Sequence, residues 1–378
     1  MIDRRTRAAA ALWLIVAGGV ACRRTPAPPP APPPPAPVAQ GPYVWRLPAG
    51  IPEPIVPADN PMSAAKVDLG RRLFYETRLS HNHTYACATC HQQRRAFTDG
   101  RAQAVGSTGG IHPRSAMSLA NVAYNTSYGW ADPSLTSLEA QMRVPLLNEH
   151  PVEMGLAGHE DDIVRRFQTA DDRARFAAAF PAESSPTLTT IIKAIASFER
   201  TIVSGNSPLD RYLYRDDRAA LSASAVNGMT LFFSKRLRCS ECHAGFNLSG
   251  PVDFAVAKVH PKPDFHNTGL YDVDGKGAYP AEDRGLTDVT RDPKDMGRFR
   301  APTLRNIAVT APYMHDGSLP TLQIVLAHYA SGGHASPFRS RAVTGFELST
   351  LERADLLAFL NSLTDDGFLE DPAFGKPR

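Results

Sequence analysis

The chain has 378 residues, enough for two modest domains. Its 41 basic and 38 acidic side chains nearly cancel, which argues against a nucleic-acid or other polyanion partner. Five cysteines are present. Four fall in one recurring motif and the fifth, Cys22, stands alone, so no disulfide is expected.

Residues 1–22 read as an export signal. Arg4, Arg5 and Arg7 make its charged start, and Ala8 to Val16 is apolar but too short to span a bilayer. Gly18-Gly19-Val20-Ala21 before Cys22 resembles a bacterial lipoprotein cleavage site, departing from it at Gly19, where Leu is preferred. Cys22 is therefore expected to carry lipid and to be the only tie to a membrane, and the protein is expected in the periplasm. Residues 23–42 are a linker. Its 26–37 stretch is mostly Pro and Ala, which favours extended polyproline II and cannot bury a core.

The folded part begins near Tyr43. Asn60-Pro61 opens a predicted helix through Leu69, Leu73 and Phe74. Next comes Cys87-Ala88-Thr89-Cys90-His91, and the pattern returns as Cys239-Ser240-Glu241-Cys242-His243. C-x-x-C-H is the attachment signature of c-type haem. The thiols add to the porphyrin vinyl groups and the adjacent imidazole becomes an axial iron ligand. A zinc knuckle or redox dithiol would not need a His directly after the second Cys, let alone twice. Two covalent haems c are expected, and their attachment outside the cytoplasm agrees with export.

Gly70-Arg71-Arg72-Leu73-Phe74 precedes the first motif and Gly228-Met229-Thr230-Leu231-Phe232 the second. This G-x-x-L-F echo is an internal repeat and points to duplicated cytochrome c-like domains. Each Gly would let another helix cross closely, with the aromatic four residues on lying on the same face. Few segments alternate with period two, so almost no sheet is expected.

Thr98-Asp99-Gly100 is a turn, and 100–115 is a Gly-rich loop. Helices are predicted over Ser118–Tyr124, Leu135–Leu147 and Thr187–Ser204, the last carrying Ile191, Ile192, Ile195, Phe198 and Ile202. A domain boundary is placed at Gly205–Ser207. The irregular 244–300 stretch reads as a surface excursion. Ser349-Thr350-Leu351-Glu352 is a capping box, opening a helix through Leu356, Phe359 and Leu363 that should pack on the Gly228 helix. The fold is thus all-α. An N-terminal cytochrome c-like domain spans 43–205 and a C-terminal one 206–364, with a tail at 365–378.

Residues 43–370 resemble the bacterial di-haem cytochrome c peroxidase superfamily, which includes MauG. Besides both C-x-x-C-H motifs, the resemblance rests on Trp130, Gln141, Pro145 and Val152-Glu153-Met154. It continues through Pro302-Thr303-Leu304-Arg305-Asn306 and Ala311-Pro312-Tyr313-Met314-His315-Asp316-Gly317. Asn60-Pro61-Met62-Ser63, His112-Pro113-Arg114-Ser115-Ala116-Met117 and Phe265-His266-Asn267-Thr268-Gly269-Leu270-Tyr271 resemble the MbnH-like subgroup.

The resemblance implies a first haem on His91 that reacts with peroxide and a second on His243 that transfers electrons. Conventional peroxidases supply a removable distal His to the first haem. Ser107 stands at that position, and His112 reads as a propionate or backbone contact rather than an iron ligand. At the second haem the family's axial Met position falls on Tyr329, as in MauG-like enzymes. The residues alone leave Met296, Met314 and His328 as rivals, whereas the resemblance selects Tyr329. It makes Glu153 the acid–base group for peroxide cleavage, with Gln141 and Pro145 shaping the pocket and Trp130 relaying electrons between haems. His315 is implied as a propionate contact. Calcium is implied between the domains on Ser115 and the carbonyls of Thr310 and Pro312, although a Ser hydroxyl is a weaker ligand than the Asn amide of relatives.

The activity implied is oxidation, by hydrogen peroxide through a high-valent two-iron state, of a residue on a partner protein. In the MbnH-like subgroup that means Trp to kynurenine on a companion exported, MbnP-like protein in a copper context. The rivals are a conventional di-haem peroxidase, fed by small redox proteins and reducing peroxide to water, and a plain electron carrier with two closed haems.

Overall fold

The computed structural model describes residues 43–183 and 185–377. The expected export signal, the Cys22 lipid site and the whole Pro-rich linker lie outside the described residues. In chain order the helices are α1 (Ala64–Phe74), α2 (Cys87–Cys90), α3 (Leu138–Leu147), α4 (Glu160–Arg165), α5 (Ala170–Ala179) and α6 (Leu188–Glu199). Then follow α7 (Pro208–Tyr214), α8 (Ala223–Phe232), α9 (Thr287–Thr290), α10 (Leu322–Ser331), α11 (Thr350–Asn361) and α12 (Asp366–Glu370). Long irregular segments join them, and the only β pairing among the described residues is isolated bridges. The all-α expectation holds.

Two helix pairs carry the repeat. A Cβ at Gly70 would sit 1.9 Å from the Ala194 carbonyl oxygen, and one at Gly228 would sit 1.9 Å from that of Asp355. Backbones cross at that distance only where no side chain intervenes. One turn on, Phe74 packs edge-on against Phe198 at 5.3 Å between ring centroids, and Phe232 packs on Phe359 at 5.2 Å. These α1/α6 and α8/α11 crossings centre two separate apolar cores. Their ends are set by local chemistry. Ser63 caps α1, accepting from Lys66 N–H at 3.2 Å. Thr187 with Thr190 and Ser349 with Glu352 form reciprocal capping boxes on α6 and α11.

The helix expected to open at Asn60-Pro61 begins at Ala64, after the Ser63 cap, and the one expected over Leu135–Leu147 begins at Leu138, after the Ser137 cap; three further elements differ more. Over Ser118–Tyr124 only the Val122–Tyr124 turn is helical. Asn121 there has φ +57° and its amide is spent on the Ser204 backbone, accepting at 2.6 Å and donating at 3.0 Å. The Thr187–Ser204 helix stops at Glu199. The 244–300 stretch is not merely a surface excursion. Leu270, Tyr279 and Phe299 are buried together with Ala131, because the stretch folds over the cavity described below and needs an apolar underside.

The patternless tail forms α12, whose Phe368 packs on Phe97 of the first core at 5.7 Å. Gln93 fixes it by donating to the Phe368 and Asp371 carbonyls (3.1 and 2.9 Å). At the 204–206 junction, Asp365 accepts from the backbone N–H groups of Gly205 and Asn206 (3.0 and 2.8 Å). Arg305 forks onto Asp210 of α7 at 2.8 and 2.9 Å, with both side chains buried. The Pro302–Asn306 motif is therefore in part architectural.

Candidate haem and peroxide site

Each C-x-x-C-H opens on one helical turn, Cys87–Cys90 and Cys239–Glu241, and the N–H of its His donates to the carbonyl of its first Cys at 3.0 Å. His91 Nδ1 lies 2.8 Å from the Phe97 carbonyl oxygen and His243 Nδ1 lies 3.2 Å from that of Leu248. A carbonyl only accepts, so each Nδ1 carries the proton and each Nε2 keeps a lone pair for a metal. Burial holds both imidazoles below the usual His range, His243 at about 4, which keeps them neutral and ligand-competent. Burial also pushes the thiols up, Cys239 to about 11 and Cys90 and Cys242 to about 12. Reactive dithiols need lowered values, so these cysteines do not read as a redox pair.

Around the second motif the residues enclose a mainly apolar cavity of about 240 Å³. Cys239, Cys242 and His243 line it, as do Tyr329 of α10, Trp130 and Met314. Of the rival axial residues, His328 does not line it, since its Nε2 lies 3.0 Å from the Thr268 carbonyl oxygen. Met296 packs instead with the Leu270 and Phe299 cluster. Burial raises the Tyr329 phenol above the usual tyrosine range, helped by the nearby Cys242 and Cys239.

Arg300 also lines this cavity. It is buried and has no carboxylate within ion-pair distance among the described residues, only Asn125 Oδ1 at 3.1 Å and neighbouring neutral groups. Desolvation lowers it to about 10. A buried cation without a counter-ion is costly, and a haem propionate would supply one. The cavity thus fits a haem by its thiols, its imidazole, its apolar lining and its orphaned cation. Sequence reasoning missed Arg300, although its place two residues before Pro302 was a usable signal. His315 is buried in the same cavity wall, stacked on Phe299 at 3.7 Å and 3.8 Å from Asp283.

On the first side, Gln141 and Pro145 are one turn apart on α3. The chain then doubles back: Met154 N–H donates to the Pro145 carbonyl and Leu156 N–H to that of Leu146, both at 2.9 Å. This sets Glu153 beside Pro145. The 104–114 loop closes on it, with Ser107 N–H donating to the Glu153 carbonyl at 2.8 Å. A Cβ at Gly106 would lie 1.8 Å from the Val152 carbonyl oxygen. Glu153 is close enough to Cys87 and Cys90 for its charge to raise both thiols. Its own carboxyl is pushed up to about 7 by burial. Ser107 Oγ is buried without a hydrogen-bond partner among the described residues. His112 makes the expected backbone contact, accepting at Nδ1 from Arg114 N–H at 3.2 Å. Its Nε2 lies 3.9 Å from Glu153 Oε1, which was not foreseen.

Trp130 joins the two sides. Its Nε1 donates to the Ser115 carbonyl at 3.0 Å, and Ser115 N–H donates to the His315 carbonyl at 2.8 Å. Ser115, Thr310 and Pro312 line the same cavity. The Ser115 hydroxyl faces the Met314 and His315 carbonyls at 3.4 and 3.3 Å.

With this geometry in place, comparison with known proteins is decisive. A family model described as di-haem cytochrome c peroxidase matches residues 64–218, and a RoxA-like, cytochrome c-like model matches 298–330. Cytochrome-c peroxidase IdrP1 of Denitromonas iodatirespirans is 35% identical over 85% of this chain and 88% of its own. The chain belongs to the di-haem cytochrome c peroxidase and MauG family. Methylamine utilization protein MauG of Methylorubrum extorquens is 33% identical, covering 84% of this chain and 83% of its own. A crystal structure of a MauG-like protein associated with microbial copper homeostasis superposes with a TM-score of 0.85 at 47% identity, covering 89% of this chain and 99% of that one. As a family member the protein is a haem-dependent, peroxidase-type oxidoreductase with two haems c.

Proposed function

We propose that the protein uses hydrogen peroxide to oxidise a residue of a partner protein, with Trp converted to kynurenine as the favoured outcome, and that it works in the periplasm. The bound haems would supply peroxide reduction at one iron and storage of oxidising equivalents across both. Cys87 and Cys90 would hold the first haem and Cys239 and Cys242 the second, with His91 and His243 as proximal ligands.

Glu153 is the acid–base group. Its carboxylate would take a proton from one oxygen of peroxide, and its carboxylic acid would return that proton to the other as it leaves as water, the two electrons for that cleavage being what the haems supply. A pKa near 7 serves both halves of that cycle at neutral pH. Gln141 orients the substrate and Pro145 keeps the pocket wall free of a backbone N–H donor. Trp130 carries electrons between the halves. Tyr329 would join His243 in holding the second haem, where a phenolate donor would favour oxidised iron over reduced iron. Arg300 and His315 would hold propionates. Calcium on Ser115, Thr310 and Pro312, and lipid on Cys22, complete the reading.

The observation that supports this over simple peroxide disposal is the buried Tyr329 phenol in the cavity of Cys239, Cys242 and His243, with Met314 as the one rival donor that shares its lining. Kinship to a MauG-like protein tied to copper homeostasis favours a companion exported, MbnP-like substrate. The alternative, a peroxidase fed by small redox proteins, draws on the 35% identity with IdrP1. Electron paramagnetic resonance and near-infrared absorption separate them when one equivalent of peroxide is added to the diferric protein. Loss of both ferric signals with a new near-infrared band is expected. Silence until one haem is reduced would establish the alternative.

A further inference from the structure

We infer that His112 is a positioning residue for Glu153: a neutral imidazole held in one tautomer, whose Nε2–H anchors Glu153 Oε1 and leaves the second carboxyl oxygen to serve peroxide. This rests on the reading of Glu153 given above and goes beyond it.

Four observations carry it. His112 Nδ1 accepts from the Arg114 backbone N–H at 3.2 Å. A nitrogen that accepts has no proton, so in the neutral ring the proton sits on Nε2. That nitrogen faces Glu153 Oε1 at 3.9 Å, beyond hydrogen-bond length in this structure but a gap that a small side-chain rotation closes, as catalytic hydrogen bonds tighten when substrate enters. The ring cannot drift. His112 N–H donates to the Ala104 carbonyl at 2.8 Å and Ala104 N–H to the Arg114 carbonyl at 3.0 Å, so the turn is tied at its base. Beyond the turn, the Arg114 guanidinium forks onto buried Asp283, both bonds at 2.7 Å.

The tautomer decides what His112 does. A relay must protonate one nitrogen while releasing a proton from the other. Here protonation of Nδ1 would oppose the Arg114 N–H that it already accepts. Burial, with the Arg114 charge next, holds the imidazole below its usual range, and Asp283 pulls only weakly the other way. The Cys87 and Cys90 thiols feel the Glu153 charge but no longer titrate once they are thioethers, and His81 packs beside the segment, its backbone N–H donating to the Met154 carbonyl at 2.9 Å. His112 is therefore a fixed donor. By hydrogen-bonding the charged form it stabilises the Glu153 carboxylate against the desolvation that opposes it. The anchor also belongs to the other half of the molecule, since Asp283 lies 3.8 Å from His315.

The test uses the di-haem holoprotein with His112→Phe, His112→Gln and Glu153→Gln. Melting temperature and the haem absorption spectrum report that each variant is folded and loaded. If His112→Phe does not fold, His112→Leu is read in its place. The protonated carboxyl stretch of Glu153, identified by its loss in Glu153→Gln, is titrated by infrared difference spectroscopy. Peroxide consumption is followed across pH.

Removing the donor should move the Glu153 titration to higher pH and shift the rising limb of the pH–rate curve with it, slowing the reaction about tenfold at pH 7. His112→Gln, which keeps an N–H of similar reach but cannot pass a proton, should recover most of the rate. An unmoved infrared titration in His112→Phe overturns the inference. So does a Gln variant as slow as the Phe variant, which would mean that the ring transfers protons. If Glu153→Gln itself reacts normally, the reading of Glu153 fails first and takes this one with it. If Glu153→Gln is dead while His112→Phe is unaffected, only the role of His112 falls.

Discussion

The two halves share a scaffold and diverge above it. In both, a glycine brings two helices to backbone contact, an aromatic one turn on closes the core, and a carbonyl pins the haem-motif histidine by Nδ1. On the far side they part. The first half presents Glu153 from a doubled-back loop under His112. The second presents Tyr329 from the regular helix α10. The scaffold can be duplicated because it serves only to seat a haem. The chemistry differs because the opposite wall is made by segments outside the repeat.

The largest effect should come from removing what only the first half has. Glu153→Gln is expected to slow peroxide consumption by about 10²–10⁴-fold without altering haem content. Tyr329→Phe should leave peroxide consumption standing while changing the resonance signal of the second haem alone. Equal activity losses in the two variants would erase the division of labour. In the wild type, activity should rise with pH through about 7, as the Glu153 carboxylate forms. A flat profile between pH 6 and 8 would remove Glu153 as the base.

Next come the cores. Phe368→Ala should cost about 3–5 kcal/mol in denaturant unfolding and should loosen the first half before the second, because α12 packs on Phe97. Simultaneous unfolding of both halves would show that the tail does not serve one core. Gly70→Ala and Gly228→Ala should each cost about 3 kcal/mol or more. Alanine's better helix propensity offsets only about 1 kcal/mol of this, because the neighbour at 1.9 Å is a backbone carbonyl that cannot turn aside. A large effect at one glycine and none at the other would break the structural equivalence.

The smallest difference is one of pH. Glu199 follows Phe198 as Leu360 follows Phe359, so a carboxyl occupies a site that is apolar in the second half. Its Oε2 is buried without a partner among the described residues, and burial raises the carboxyl from 4.5 to about 8. Between those values the folded chain keeps a proton that the unfolded chain releases, so stability falls as pH rises. Glu199→Gln should flatten this decline, with a gain on the order of a kcal/mol near pH 8 after relaxation and water entry. Melting curves from pH 5 to 8 check it, and parallel slopes for both proteins would count against the buried charge.

Much of this was legible in the residues. The C-x-x-C-H motifs, the G-x-x-L-F echo and the Ser349–Glu352 box act within one or two turns, so their spacing already states their geometry. Glu153, Gln141 and Trp130 were reached through family resemblance, since a lone Glu after Pro-Val reads as a cap or a solvated charge. The burial of Arg300 without a counter-ion among the described residues, the His112–Glu153 approach and the folding of 244–300 over the second cavity were not legible. Each joins residues tens to hundreds of positions apart.

The sequence by itself thus determined an all-helical chain with two haem-attachment sites on a duplicated scaffold, because covalent attachment, capping and close crossing are local demands on residue type. Only the tertiary structure showed that Tyr329 and Met314 open onto the second cavity while Met296 and His328 turn away from it. It also decided that a cation is buried there without a counter-ion and that the C-terminal tail completes the first core. Those outcomes depend on which side chains lose water together, and burial is a property of the assembled fold rather than of any stretch of chain.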